Sequence, residues 1–167
     1  MEFFLCPTLS HQPSVAIHTL EAIVRKITES CDRFSLIGSS LGGYYATWLA
    51  EQYAARAALI NPAVKPYTLL ASRLGFQRNP HTGEQYELTA RHIDELEQLE
   101  VREITQPERY YLLIQSGDEI LDYHEAVDKY YGARQCVIEG GDHAFQDFDS
   151  YIVDVLSFLG FLKSSDE

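Results

Sequence analysis

Phe34-Ser-Leu-Ile-Gly38-Ser39-Ser40-Leu41-Gly42-Gly43-Tyr44-Tyr45-Ala46-Thr47-Trp48-Leu49 changes character at its middle. Phe34 to Gly38 is a short apolar run of the kind buried inside a sheet. Leu41 to Tyr53 carries Tyr44, Tyr45, Trp48 and Leu49 at helical spacing. Between them, Gly38-Ser39-Ser40-Leu41-Gly42 fits G-x-S-x-G in the strand–turn–helix setting that a nucleophile elbow requires. The pattern alone is weak, and its bare alternative is a glycine-rich connection with no chemistry; the setting strengthens it. The turn holds a serine with its hydroxyl exposed. Glycines flank it where a Cβ is expected to strike the neighbouring strand or helix. Gly43 adds a small residue where the helix approaches the sheet. The helix N-terminus aims free N–H groups at the place where an oxyanion forms, and Leu41, following the serine, is the expected backbone donor.

A serine hydroxyl needs a base. In this kind of fold the acid and then the histidine follow the serine, each just after a later strand. The run Tyr110-Tyr-Leu-Leu-Ile-Gln115 is followed by Ser116-Gly117-Asp118. The run Gln135-Cys-Val-Ile138 is followed by Glu139-Gly-Gly-Asp-His143. Ser40, Asp118 and His143 are therefore the candidate nucleophile, acid and base. Asp122 stands as the alternative acid, and Asp142 reads as a turn residue. His11, His18, His81, His92 and His124 lack a comparable strand-end context and read as surface or satisfied polar groups. No pair of them has metal-ligand spacing, so no metal is expected.

Working outward, Phe3 to Cys6 reads as a short buried strand ended by Pro7. Pro13 opens a helix with Leu20, Ile23, Val24 and Ile27 on one face, and Ala57 to Ile60 is a further strand stopped by Asn61-Pro62. Asp122 to Tyr131 is a helix, and Ile152, Val155, Leu156 and Leu159 mark a final one. Continuous apolar strands alternating with amphipathic helices predict an α/β fold in a single domain, with a mostly parallel sheet covered on both faces. Residues 63 to 107 interrupt the alternation. They read as a small helical lid-like insertion: a helix from Pro66 to Leu74, a turn at Asn79-Pro-His-Thr-Gly83, and an acidic helix from Ala90 to Leu99. Tyr44, Tyr67, Tyr86 and Phe145 are candidate pocket-lining residues, each with an ordinary core role as its plainer reading.

The 167-residue chain is 46% apolar and 23% charged, as globular proteins are. Thirteen Lys and Arg against 25 Asp and Glu give a net charge of −12, which argues against nucleic-acid and anionic membrane surfaces. Cys6, Cys31 and Cys136 are widely spaced and odd in number, which reads as a reduced, cytoplasmic protein with its thiols as apolar fillers. No basic leader precedes Phe3, no apolar stretch reaches about 18 residues, and Ser164 to Glu167 reads as a frayed tail.

The sequence resembles the YqiA-type esterases, a bacterial branch of the α/β-hydrolases. The matching residues include Ile37 to Leu49, Asn61-Pro-Ala63, Asn79-Pro80, Thr82-Gly83, Gln85-Tyr86, Arg91-His-Ile93, Gly117-Asp-Glu119, Leu121-Asp-Tyr123 and Val137 to Phe145. They run from about Leu5 to Leu162. The resemblance implies hydrolysis of short acyl esters, and of acyl-CoA thioesters, without a cofactor. It carries nucleophile, acid and base onto Ser40, Asp118 and His143. The family pattern opens with a strand ending in Leu-His-Gly-Phe and a helix; this sequence has neither ahead of Phe3. The expectation is therefore an N-terminally shortened sheet, either open in its middle or with the strand at 3 to 6 paired directly to that at 34 to 38, and with one oxyanion donor missing. Two further readings use the same residues: a weak or inactive binding module, and an acyltransferase.

Overall fold

The structure is a computed structural model and describes residues 4–30, 33–79 and 83–162. In chain order the elements are α1 (Pro13–Thr28), β1 (Ser35–Ser39), α2 (Leu41–Tyr53), β2 (Arg56–Ile60), α3 (Pro66–Ala71), β3 (Gly75–Arg78), β4 (Gln85–Leu88), α4 (Ala90–Glu97), β5 (Tyr110–Gln115), α5 (Tyr123–Lys129), β6 (Arg134–Ile138) and α6 (Ile152–Leu159). Short 3-10 turns precede β5 and α6. The chain divides into two compact units: Arg33–Val64 with Val101–Glu167, and Met1–Asp32 with Lys65–Glu100.

The first of these units is a parallel sheet of four strands in the order β1-β2-β5-β6. Side chains alternate across it. Ala57, Leu59, Tyr110, Leu112 and Ile114 point to one face, where Ala46 and Ala50 of α2, Ala126 of α5 and Tyr130 pack on them. Ala58, Ile60, Tyr111 and Leu113 point to the other, against Val155 and Leu159 of α6 and against Phe145. All of β5 is buried, as a strand covered on both sides must be. Ser39 stands beside Ile60, Ile60 beside Leu113, and Gln115 beside Ile138. The parallel pairing thus brings every C-terminal strand end to one edge.

The second unit holds α1, α3, α4 and an antiparallel hairpin of β3 and β4. Thr89 caps α4 in a reciprocal box: its side chain takes the His92 N–H, and the Thr89 N–H donates to His92 Nδ1 at 3.3 Å. The Ser14 N–H donates to Glu95 Oε2 at 3.1 Å, which ties α1 to α4. His11 stacks on Tyr86 with ring centroids 4.7 Å apart.

Several expectations need correction. Phe4 to Cys6 form no strand: Phe4 is 80% exposed, Leu5 is half exposed and Cys6 is an exposed thiol, not an apolar filler. A lone tripeptide gains nothing as a strand unless a neighbour takes up its N–H and C=O groups, and among the described residues β1 is paired only with β2. The stretch expected as a purely helical insertion contains the β3–β4 hairpin. The helix expected to reach Leu74 stops at Ala71, and the backbone turns at Gly75 with φ of 110°. The turn expected at 79 to 83 closes the hairpin, with Asn79 and Gly83–Glu84 exchanging backbone hydrogen bonds of 2.8 Å. Residues 80 to 82, Phe3, Cys31 and the expected tail at 164 to 167 lie outside the described residues.

Candidate active site

Ser40 sits at the turn between β1 and α2 with φ of 52° and ψ of −122°, a strained backbone that a non-glycine residue rarely adopts. Neighbours hold the strain in place. The Ser40 N–H donates to Ile60 O at 3.0 Å, and Ser40 O accepts from Gly43 N–H and Ala63 N–H, each at 3.0 Å. A Cβ on Gly38 would meet Gly42 O at 2.4 Å, and one on Gly43 would meet Pro62 Cβ at 2.6 Å. Both glycines are therefore required by close packing of β1, α2 and the turn after β2. Gly42 corrects the expectation: a Cβ there meets nothing within 4 Å.

From the ends of β5 and β6, the other two candidates close on Ser40. His143 Nε2 lies 3.0 Å from Ser40 Oγ. His143 Nδ1 lies 2.8 Å from Asp118 Oδ2 and 3.0 Å from Oδ1. Asp118 is held in turn, because its Oδ1 accepts the N–H groups of Ile120 at 2.8 Å and Leu121 at 2.9 Å. Its side chain is 2% exposed, whereas that of His143 is 24% exposed. A carboxylate on Nδ1 selects the tautomer with hydrogen there, which leaves Nε2 to accept the serine proton. The arrangement can move a proton from a hydroxyl to an imidazole that a buried carboxylate steadies.

The remaining candidates are dispersed. Asp122 does not reach His143. It caps α5, accepts from His124 N–H at 3.0 Å and pairs with the His124 ring, whose hydrogen bonds hold its exposed carboxyl below the usual range. Leu41 opens α2, so its N–H has no partner within the helix. Tyr44 is buried edge-on to Tyr45. Phe145 is buried in the core against Phe148 and Tyr151. Tyr67 donates to Glu100 at 2.8 Å, and Tyr86 carries the stacked His11; both belong to the other unit. Among the described residues no group of His, Cys, Asp and Glu is arranged to hold a metal ion. A shallow cleft lined by Asn61, Pro62, Asp118, Leu121, Asp122 and Tyr123 runs beside the acid.

Three residues were missed by the sequence reading. Asn61 was read only as a strand stop. It is 3% exposed, and its amide bonds the loop that carries His143. Gln115, the last residue of β5, accepts the N–H groups of Asp142 at 3.1 Å and Gln146 at 2.8 Å on its Oε1. Glu119 accepts the His143 N–H at 3.0 Å. The available signal was position: polar residues at the C-terminal ends of apolar parallel strands lie where α/β sheets gather their chemistry.

This is the α/β-hydrolase fold. Solved structures that share it include a candidate hydrolase from Agrobacterium vitis S4, with 16% identity, a TM-score of 0.67 and 89% of this chain matched to 69% of that one. The esterase domain of a Rhodothermus marinus protein matches with 20% identity, a TM-score of 0.62, and coverage of 84% of this chain and 66% of its own. Mouse alpha/beta hydrolase domain-containing protein 10 matches with 18% identity, a TM-score of 0.60, and coverage of 89% and 71%. The chain thus spans roughly two thirds of the length of these structures. Residues 3–160 match the uncharacterised protein family UPF0227, and the chain belongs to that family.

Proposed function

We propose that this chain is a serine hydrolase of the YqiA type that cleaves short acyl esters, and acyl-CoA thioesters as a second class, through an acyl-enzyme on Ser40. The observation that carries the reading is the unbroken set of hydrogen bonds from Ser40 Oγ through the His143 ring to Asp118. The esterases and hydrolases among the structural neighbours support it at the level of hydrolysis.

Ser40 Oγ attacks the substrate carbonyl carbon while its proton passes to His143 Nε2. Asp118 stabilises the imidazolium on Nδ1. The oxyanion forms at the start of α2, where the Leu41 N–H donates to it. Collapse breaks the ester or thioester bond, and His143 returns its proton to the leaving alcohol or thiol. Water, deprotonated by His143, then repeats the sequence and frees the acid and Ser40. No cofactor takes part. The substrate is a small molecule; no nucleic-acid or membrane partner is part of the proposal. Among the described residues no helix is long and apolar enough to cross a membrane, and a cytoplasmic setting goes with this reading.

The test is labelling of the purified chain with a fluorophosphonate beside Ser40→Ala and His143→Ala, followed by turnover of p-nitrophenyl acetate and an acyl-CoA series. Labelling at Ser40 is expected, with loss of turnover in either variant on the order of 10⁴-fold or more. Turnover that survives both substitutions refutes the reading.

A further inference from the structure

Asn61 presents a puzzle in its backbone. Its φ of 38° lies in the left-handed region, where glycine rests without cost and a side chain does not. Backbone geometry alone therefore favours glycine here. The side chain accounts for the asparagine, because both ends of its amide are used. Oδ1 accepts the Gln115 N–H at 2.9 Å. Nδ2 donates to Asp142 O at 3.0 Å and to His143 O at 3.1 Å. These are two consecutive carbonyls, one of them belonging to the candidate base itself.

The residues around Asn61 grip the nucleophile. Ile60 O accepts the Ser40 N–H, and the Ala63 N–H donates to Ser40 O. The Asn61 N–H donates to Leu113 O at 2.9 Å, anchoring the turn to β5. One turn, Ile60 to Ala63, thus holds the Ser40 peptide with its backbone and the His143 loop with its one buried amide. An amide suits this position because it has a donor end for two carbonyls and an acceptor end for an N–H, and no charge to be solvated.

We propose that Asn61 is a positioning residue for proton transfer: its amide fixes the His143 loop against the turn that fixes Ser40, and so sets the Ser40 Oγ–His143 Nε2 separation. The inference rests on the Ser40–His143–Asp118 reading above. The Asn61 amide bonds backbone groups and none of the reacting atoms, and acts through His143. Misplacing a general base by an ångström lowers rate by about 10²-fold without touching the binding surface. Loss of the amide is therefore expected in the acylation rate and kcat, with KM unchanged.

The experiment compares the wild-type chain with Asn61→Gly and Asn61→Asp. Glycine accepts the left-handed backbone and deletes only the amide. Aspartate keeps the volume but turns a carboxylate oxygen toward two carbonyls. Folding is checked by circular dichroism, and fluorophosphonate labelling and p-nitrophenyl acetate turnover are measured well below the melting temperature. The expected result is a fall of about 10²-fold in labelling rate and kcat for Asn61→Gly, KM unchanged, and a fall at least as large for Asn61→Asp. Either variant, folded and labelling at the wild-type rate, overturns the positioning role while the triad stands; should the glycine variant not fold, the aspartate variant decides. A folded wild-type chain that does not label overturns the triad reading and the role of Asn61 with it.

Discussion

Alanine at Gly38 and alanine at Gly42 flank the same serine, and the structure assigns them opposite signs. At Gly38 the new Cβ would stand 2.4 Å from Gly42 O, 2.6 Å from Gly42 C and 2.8 Å from Gly43 Cα. Carbon atoms rest at about 3.5–4.0 Å, so each contact is short by roughly an ångström. All three partners are backbone, with no flexible side chain to swing away. Relief means driving the start of α2 off β1. Overpacking costs about 1–3 kcal/mol, and a backbone clash belongs at the upper end, about 3 kcal/mol. In a chain of this size about 2–4 °C of melting temperature goes with each kcal/mol, so Gly38→Ala should melt about 6–12 °C lower. At Gly42 no atom lies within 4 Å, and the residue sits in the first turn of α2. There, alanine gains about 0.5–1 kcal/mol in helix propensity and unfolded-chain entropy, a rise of about 2 °C. The assay is thermal unfolding by circular dichroism, with fluorophosphonate labelling in parallel: Gly38→Ala should lose about 10²-fold in rate because the elbow moves. A Gly38→Ala variant that melts within about 2 °C of wild type refutes the reasoning, as does a Gly42→Ala variant equally destabilised.

Asp118→Asn should lower turnover by about 10⁴-fold, since it favours the wrong His143 tautomer, whereas Asp122→Asn, on the cap of α5, should leave kcat within about two-fold; steady-state kinetics of the pair decide which carboxylate serves the base. Thr47 Oγ1 donates to Gly43 O at 2.8 Å and takes the Tyr130 hydroxyl at 2.7 Å, all of it buried. Thr47→Val should therefore cost about 1–3 kcal/mol by orphaning that hydroxyl, and adding Tyr130→Phe should return much of the loss, as read from a double-mutant cycle in urea. The Tyr111 hydroxyl, 2.6 Å from Asp154, and then Arg134, 2.8 Å away, hold the Asp154 carboxyl below its usual range despite partial burial. A carboxylate with a lowered folded pKa adds stability that is present above its unfolded value, near 3.9, and is lost as pH falls through the folded one. The stability gap between wild type and Asp154→Asn should thus be constant from pH 5 to 8, about 0.5–1 kcal/mol for a pair this exposed, and should close below about pH 4; urea midpoints across pH test it.

What could be read from the sequence depended on whether a residue's neighbours are local. The elbow was legible because strand, turn and helix are consecutive, and α2 spans Leu41–Tyr53 as its spacing predicts. Asp118 and His143 were legible because parallel strands deliver their C-terminal ends to one edge, so a position in sequence becomes a position in space. The strand expected at Phe3 to Cys6 failed for the converse reason: apolarity permits a strand, but a partner edge makes one. The β3–β4 hairpin was hidden because Gln77, Arg78, Gln85 and Glu87 interrupt its apolar residues, and its pairing is decided across the turn. Gly42 was misjudged because the motif treats both flanking glycines alike, whereas only Gly38 lies under the helix.

Asn61 and Gln115 show why a triad motif is incomplete as a description of a site. Ser40 is strained, and the strain persists only because surrounding bonds over-determine it. Two of those bonds come from Ile60, at the end of another strand, and Ala63, just past it. His143 stands on a loop whose backbone is bonded by side chains from three places: Asn61 after β2, Gln115 at the end of β5 and Glu119 beyond it. A loop tied this way cannot relax independently of the strand ends. The distance between serine and imidazole is therefore a property of the sheet's edge and not of either loop. It follows that the substitutions most damaging to proton transfer, after the three residues themselves, should lie on Asn61, just past β2, and on Gln115, the last residue of β5, ahead of any residue adjacent in sequence to Ser40 or His143.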